Sequence, residues 1–397
     1  MRRWTVILVL MAIGRIDTAP DLMVLERQAQ GRATPVPQRF ASTRVALVHL
    51  GNSGALGTTR RVEVWQRLLT AAGLDVVECN LLADHRRLVP SPLTALPSLG
   101  GRVVPETATW SSRAAERAIR SADPDVVLFV TPRAFHPRLA QVGRHSILDF
   151  QDRFSHSYRG RAAVDRRLGA ATAWKALGWT VARFERRDHR VHTVTAGWSE
   201  ARAIGATWIP NVVDVVAAET ITDHADAPFD ALFFGKLSSL PNVDALRRLA
   251  GIWPSLLAEI PGASCLIAGK SPAPEVLELA AAHGWRAEGG FDDVAALCRR
   301  ARLAVAPLRH ANGIQNKVLE AAAAGLAQVL SAQALGGTEP GFPAMVVRSP
   351  EDTTAAIRLL LQSPKRRLQL ALDAHAHVAA RYSVERWTPV VHDLIIH

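Results

Sequence analysis

Cysteine is scarce in this chain, and disulfide frameworks, metal-binding cysteine patterns and low-complexity segments are missing from it. The cysteines are Cys79, Cys265 and Cys298, and each lies in an apolar segment far from the other two. Their odd number and wide spacing exclude a disulfide framework and a cysteine-based zinc motif. We therefore expect three reduced core residues, as in a cytosolic protein. Repeats of solenoid length are also missing.

Long hydrophobic runs are absent as well. The apolar run 5–13 near the N-terminus is far shorter than the ~20 residues that cross a bilayer, so no transmembrane helix is expected there. No convincing signal-peptide cleavage site follows it. We interpret 1–42 as a loose extension, or as the product of an upstream start that is not the biological one.

The chain has 397 residues, 48% of them hydrophobic, which suits two α/β domains with separate cores. Short apolar runs alternate with helical patterns along most of it. The alternation predicts parallel sheets with ligands at the carboxyl ends of the strands. The predicted strands are 45–50, 75–79, 125–130, 146–150, 229–236 and 303–307, and the predicted helices include 60–72, 111–121 and 315–324.

Positive charge is concentrated in the first half. The net charge is +11, but residues 1–210 hold 30 Lys and Arg against 17 Asp and Glu, and the rest of the chain holds 17 against 19. Much of the excess is arginine between Arg153 and Arg202. Such a surface attracts anionic lipid, nucleic acid or an acidic acceptor, or it is only a solvated, arginine-biased face. Because no RNA-binding motif or zinc finger occurs, we expect no nucleic-acid partner.

The segment 306–325 combines a strand end, a glycine turn, a basic residue and a single carboxylate. Gly313 precedes a predicted helix, where backbone N–H groups and the helix dipole favour a diphosphate. Lys317 in the first turn adds positive charge. Glu320 follows one turn later on the same face, and its carboxylate suits the two hydroxyls of a ribose. The segment therefore predicts a sugar-nucleotide site.

Further motifs surround this segment in a recognisable order. They are Gly235-Lys236 followed by Leu240-Pro-Asn-Val-Asp-Ala245, a strand with a glycine turn at 261–269, a strand-to-helix step at 289–297, and a helix start at 381–387. With the G-I-Q-N-K-V-L-E-A core at 313–321, residues 228–397 resemble the C-terminal half of GT-B-fold glycosyltransferases of family 4 (group 1). The segment 209–214 resembles the passage between the two halves of that family.

The resemblance implies an α/β chain with two Rossmann-like, doubly wound domains facing across a cleft. They would be an acceptor domain, 43–210, and a nucleotide-sugar domain, 211–378, with a C-terminal helix, 379–397, crossing back. It implies a retaining, metal-independent enzyme that uses a nucleoside-diphosphate sugar as co-substrate and needs no cofactor. The acceptor would be a glycan or glycolipid of the cell envelope or an exopolysaccharide. We expect a cytoplasmic protein, peripheral on the inner face of the plasma membrane through its basic domain.

The resemblance also assigns roles in the second half. Lys236 and Lys317 would offset charge on the leaving diphosphate, although a lysine at a strand end is otherwise usually solvated surface. The donor-binding residues would be Glu320, Asn312, Gly313, Ile314, Gln315, Gly235, Gly269 and Gly290. The chain departs from the family at Asn312, where the first of two glutamates is expected, and at Pro241-Asn242, near the place of a second basic residue.

In the first half the candidates are less specific. Gly51, Asn52 and Gly54 form a loop that admits a phosphate or an acceptor, or they serve only a tight turn. Asp149 is the acid/base candidate, together with Asp152, and helix capping is the competing interpretation of both.

Other interpretations stay open beside a transferase. We interpret His136 as a surface residue, and Phe291 as core more readily than as a base-stacking ring. The alternative functions are a catalytically silent family member, another sugar-nucleotide enzyme, and a lipid- or nucleic-acid-binding module.

Overall fold

The computed structural model describes residues 43–51, 56–85, 98, 100–164 and 169–397. The predicted extension 1–42 lies outside these residues, as do Asn52 and Gly54 of the glycine loop. The described chain contains two six-stranded parallel sheets with flanking helices. The predicted α/β fold with two doubly wound sheets is therefore confirmed.

The first sheet has the strand order β2-β1-β3-β4-β5-β6, and all its pairs are parallel. Its strands are β1 (Arg44–His49), β2 (Asp75–Asn80), β3 (Val126–Val130), β4 (His145–Asp149), β5 (His192–Thr195) and β6 (Thr207–Trp208). Every residue of β3 is buried, because both faces of the sheet are covered by helices and a continuous apolar run is needed there.

In the described residues, this sheet is accompanied by the helices α1 (Leu56–Ala71), α2 (Leu81–His85), α3 (Ser112–Ser121), α4 (Phe154–Val164), α5 (Ala170–Glu185) and α6 (Trp198–Ile204). Ser111 caps α3 by accepting a hydrogen bond from the N–H of Ala114, which fixes the helix start. The predicted helix 60–72 begins earlier than expected, at Leu56.

The second sheet has the order β12-β11-β10-β7-β8-β9. Its strands are β7 (Phe229–Phe234), β8 (Cys265–Ala268), β9 (Arg286–Glu288), β10 (Ala301–Ala306), β11 (Gln328–Ser331) and β12 (Met345–Val347). The strand order reverses between β7 and β10, which are neighbours in space. Ligands of open parallel sheets bind outside the carboxyl ends of the strands at such a reversal.

The helices of this half are α7 (Leu240–Glu259), α8 (Pro274–His283), α9 (Val294–Cys298), α10 (Asn316–Ala323), α11 (Pro350–Gln362), α12 (Pro364–Arg381) and α13 (Val384–Ile396). Helix α13 packs against α1 of the first half. The ring of Trp387 lies edge-on to that of Trp208, with 5.1 Å between centroids. The C-terminal helix thus contacts the first half.

The three cysteines are buried and are not joined in disulfides, as predicted. None of the helices in the described part is long and apolar enough to cross a bilayer.

Candidate active site between the two sheets

A cavity of about 1170 Å³ lies between residues of the first sheet's half and the carboxyl ends of β7 and β10. Lining residues from the second half include nine of the predicted donor-site residues: Gly235, Lys236, Gly269, Asn312, Gly313, Ile314, Gln315, Lys317 and Glu320. The sequence motif and the strand-order reversal therefore meet at one cavity. The roles of these residues stay predictions.

The turn after β7 brings Gly235 and Lys236 to the cavity. Gly269 follows the neighbouring strand β8, and a Cβ placed on it would lie 1.6 Å from the carbonyl oxygen of Gly235. Only glycine allows this approach of the two strand ends. Gly290, which was also predicted to border the nucleoside, is not among the lining residues, whereas Phe291 is, with its ring edge-on to Phe234.

The loop after β10 differs from the prediction in one respect. Gly313 precedes α10 as expected, but its N–H is not available to a phosphate in this structure, because it donates to Oε1 of Glu200 in α6 at 3.0 Å. Helix α10 begins at Asn316 with no side-chain cap. The backbone N–H groups of the first turn of α10 are therefore the ones in this region that suit an anion.

Lys317, in the first turn of α10, is half-buried at the wall of the cavity. Its Nζ donates to Oδ1 of Asn242 at 2.6 Å and lies 4.3 Å from the centroid of the Phe233 ring. Burial lowers the pKa of the ammonium to about 7, and the nearby Glu320 carboxylate raises it only in part. Asn242, which lies near the place where the resemblance implies a second basic residue, thus holds the ammonium of Lys317.

Glu320 faces the cavity with 19% of its side chain exposed. Its carboxylate lies 3.2 Å from the guanidinium of Arg60, which reaches across from α1. Burial raises the pKa of Glu320, and Arg60 opposes that shift. Arg60 is a cleft cation that the sequence analysis missed, because nothing local links residue 60 to residue 320.

Asp149, the predicted acid/base residue, does not line the cavity. It is fully buried, and its Oδ2 accepts hydrogen bonds from Nε of Arg61 at 2.5 Å and Nε1 of Trp65 at 2.6 Å. Arg61 also donates to the carbonyl oxygens of Pro210 and Ile209. In this structure the Asp149 carboxylate pairs with a buried guanidinium and does not face the cavity, which favours a structural role, and its acid/base role stays a prediction.

Asp152, the competing candidate, does line the cavity, together with Gln151. Burial first, and Glu200 second, raise the pKa of Asp152 to about 7. Among the other first-half candidates, Gly51 makes a turn in which its N–H donates to Nδ1 of His49, and it does not line the cavity. His136 packs edge-on against Trp110, also away from the cavity.

Several contacts join the two halves around this cavity. Nδ2 of Asn312 donates to Oγ of Ser157 in α4, and Nδ2 of Asn211, in the segment 209–214 that connects the halves, donates to Oδ1 of Asn316 in α10. In the described part of the chain, no group of three or more His, Cys, Asp and Glu side chains is arranged to hold a metal ion.

Comparison with known proteins finds a family model that matches part of the chain. Residues 228–363 match the model of the family Glycosyl transferases group 1. No curated protein sequence matches the chain.

Solved structures resemble the fold. HepE of Anabaena, in complex with UDP-glucose, has 11% identity and a TM-score of 0.59, with 88% of this chain and 99% of HepE covered. WaaG, a glycosyltransferase involved in lipopolysaccharide biosynthesis, has 13% identity and a TM-score of 0.59, with 89% and 99% covered. TarM of S. aureus has 11% identity and a TM-score of 0.56 over 72% of this chain, which spans only 59% of TarM. At these identities the likeness shows the fold. The chain therefore has the GT-B fold of glycosyltransferases, and its residues 228–363 form a domain of the transferase family Glycosyl transferases group 1.

Proposed function

We propose that this chain is a retaining glycosyltransferase that moves a sugar from a nucleoside-diphosphate sugar to a glycan or glycolipid of the cell envelope or to an exopolysaccharide. The observation that carries the proposal is the cavity at the strand-order reversal of the second sheet, where Lys236, Lys317, Glu320 and the start of α10 converge. Lys317 and Glu320 stand one turn apart on α10 and both line this cavity, which brings a cation and a carboxylate to one ligand-sized space.

The donor would lie along the second half of the cavity. In this proposal the first turn of α10 and Lys317 bind the diphosphate, and Glu320 accepts hydrogen bonds from the ribose. The structure of HepE contains UDP-glucose and a structure of TarM contains UDP, which supports a uracil nucleotide as the first donor to test.

The reaction breaks the bond between the anomeric carbon and the leaving phosphate oxygen, and forms a bond from that carbon to an acceptor hydroxyl on the same face. The acceptor proton passes to the leaving phosphate, so a strong protein base is not needed. Negative charge grows on the diphosphate as the bond breaks. Lys236, Lys317 and Arg60 would stabilise it as fixed charges in place of a divalent ion.

The acceptor and the cellular location follow from the first half in this proposal. Its excess of arginine suits contact with anionic lipid on the cytoplasmic face of a membrane, where glycolipid acceptors are held. Flotation with vesicles of neutral or anionic lipid tests this part. Retention only on anionic vesicles, lost at high salt, is the expected result, and no retention would remove the membrane contact.

The decisive experiment is calorimetric titration with UDP, GDP, ADP and dTDP. One diphosphate should bind in the micromolar range to the unaltered chain and not to Glu320→Ala. Glu278→Ala, an exposed residue of α8 in the same half, is the matched control and should bind normally. Binding of none of the four would contradict the proposal. Transfer of radiolabelled sugar to an extracted envelope fraction then tests the activity itself.

A catalytically silent role is the second candidate, because two donor-binding groups already have partners from the first half in the empty protein. The N–H of Gly313 is held by Glu200, and the carboxylate of Glu320 lies against Arg60. A silent member would bind a diphosphate without releasing it from a sugar nucleotide in the presence of any acceptor.

A further inference from the structure

One carboxylate in the cavity is not used by the proposed donor contacts. Asp152 follows β4 and precedes α4, and its side chain lines the cavity from the side of the first half. Its Oδ1 is completely buried and has no hydrogen-bond partner within the described chain. A buried carboxylate oxygen without a partner is costly, so its retention in a cavity points to a partner that arrives with the ligand.

The backbone around Asp152 is strained and firmly held. Gln151 has φ of 60°, and Thr131 at the end of the neighbouring strand has φ of 75°. For a β-branched residue such as Thr131 this conformation is a clear outlier. The N–H of Gln151 donates to Oδ1 of Asp149, and its carbonyl oxygen accepts from the N–H of Ala196. Strain maintained by surrounding bonds is a feature of functional sites, and here it fixes where Asp152 points.

Asp152 lies against the donor loop of the other half. A Cβ placed on Gly313 would be 2.7 Å from the Cβ of Asp152, so the contact exists only because residue 313 is glycine. Beside this contact, the side chain that the second half supplies is the amide of Asn312. The neighbouring carboxylate, that of Glu200 in the first half, already accepts a hydrogen bond from the N–H of Gly313. Asp152 is therefore the carboxylate that remains available to a ligand at this corner of the cavity.

The position selects the part of the donor that Asp152 would meet. The loop after β10 leads into the helix turn that would bind the diphosphate, and the transferred sugar is bonded directly to that diphosphate. A group in contact with Gly313 thus lies next to the sugar and away from the base. Carboxylates accept hydrogen bonds from sugar hydroxyls, and such charge-assisted bonds are stronger than neutral ones.

We propose that Asp152 binds a hydroxyl group of the transferred sugar, supplying from the first half the carboxylate that Asn312 does not provide in the second. The inference rests on the proposed function and deepens it. It makes the choice of sugar depend on closure of the two halves, because Asp152 and the diphosphate loop belong to different halves. Burial and Glu200 keep the pKa of Asp152 near neutrality, so the group can accept or donate a hydrogen bond to a hydroxyl.

The test separates the contribution of the sugar from that of the nucleotide. UDP, UDP-glucose, UDP-N-acetylglucosamine, GDP and GDP-mannose are titrated into the unaltered chain, and the tightest sugar nucleotide is compared with its parent diphosphate. In Asp152→Asn and Asp152→Ser we expect diphosphate affinity within about twofold of the unaltered chain. The gain in affinity from the sugar should fall by about tenfold, as for the loss of one charge-assisted hydrogen bond. Asp373→Asn, an exposed change of the same kind in α12, should alter neither value.

Deoxy analogues of the bound sugar nucleotide give a second readout on the unaltered chain. Removal of the contacted hydroxyl should weaken binding to the unaltered chain and have no further effect in Asp152→Asn, whereas removal of the other hydroxyls should act equally on both. If Asp152 had only a structural role, the effect of removing one particular hydroxyl would not disappear in Asp152→Asn.

The inference by itself is overturned by a sugar contribution unchanged in both Asp152 variants, by no contribution from the sugar in the unaltered chain, or by deoxy effects that add to the variant at every position. If the parent diphosphate still binds in the first two of these cases, the proposed donor site is retained. Absence of binding of every nucleotide would instead overturn the donor site and this inference together. Loss of diphosphate binding in a variant marks misfolding, and the deoxy analogues then decide on the unaltered chain, where equal effects at all hydroxyls overturn the inference.

Discussion

Nζ of Lys317 lies 2.6 Å from Oδ1 of Asn242, so the buried ammonium of the donor helix is held by a neutral amide. An amide satisfies one N–H of the ammonium but contributes no opposite charge. Burial therefore dominates and lowers the pKa of Lys317 to about 7. In the empty protein at neutral pH, Lys317 is divided between its charged and neutral forms, and a bound diphosphate would favour the charged form.

This relationship predicts that diphosphate affinity falls as pH rises. Below about pH 7 Lys317 is already protonated in the empty protein, and above it binding must take up a proton, which costs up to about tenfold in affinity for each pH unit. UDP titrations from pH 6 to 9 in two buffers of different ionisation enthalpy measure both the decline and the proton uptake. Lys317→Met should bind weakly at all pH values and show no alkaline decline, and an unchanged decline in that variant would refute the assignment.

The Arg60–Glu320 pair predicts an effect at the acid end. Burial raises the pKa of Glu320 and Arg60 lowers it, so Arg60→Gln should raise that pKa further. Because the carboxylate accepts the ribose hydrogen bonds only when ionised, affinity should be lost at a higher pH in Arg60→Gln than in the unaltered chain. Calorimetry between pH 4.5 and 7 gives the two midpoints, and Glu63→Gln, whose carboxylate also pairs with Arg60, is the comparison. Coincident midpoints would show that Arg60 does not act on Glu320.

Gly313 provides a test of close approach between the halves. Gly313→Ala places a Cβ 2.7 Å from that of Asp152, and we expect sugar-nucleotide affinity to fall about tenfold or more, from a steric cost of about 1–3 kcal/mol. The control is Gly284→Ala: its φ of 64° is close to the 58° of Gly313, but nothing lies within 4 Å of the added Cβ. Equal loss in both variants would attribute the effect to backbone strain rather than to contact.

The buried pair Arg61–Asp149 predicts a stability effect. Asp149→Ala leaves the Arg61 guanidinium buried without its charge partner, and unfolding free energy should fall by about 3–5 kcal/mol. Asp75→Ala breaks the exposed pair with Arg44 and should cost about 0–1 kcal/mol. Urea unfolding monitored by tryptophan fluorescence measures both. A stable Asp149→Ala variant that binds UDP normally but transfers no sugar would restore the acid/base role to Asp149.

Hydrophobic periodicity and turn residues predicted many of the helices and strands, because both signals are contained within a few neighbouring residues. The apolar run at 125–130 and the helix at 111–121 that precedes it were identified from local hydrophobic patterns, and the structure begins each of them one residue later. The donor motif was also local: Lys317 and Glu320 stand three positions apart on α10, so their common face follows from helix geometry, and Gly313 precedes that helix directly in the chain.

Residues of the first half at the cavity were harder to assign. Asp149 and Asp152 stand three positions apart after one strand, and sequence could not tell which of them would be buried against Arg61. That choice depends on the side chains that α1 presents to the end of β4. Arg60 and Glu200 gave no signal at all, since each acts on a residue more than a hundred positions away.

The sequence by itself determined two parallel sheets, the donor motif on α10 and the buried cysteines, because hydrophobic periodicity and turn chemistry act over a few residues. Only the tertiary structure decided that Asn242 holds Lys317, that Arg60 meets Glu320, and that Asp152 lies against Gly313. The physical reason is that each of these contacts joins residues far apart in the sequence, the first between two helices of the second half and the other two between the halves. The charge and burial of these side chains therefore depend on how the elements pack and not on any one segment.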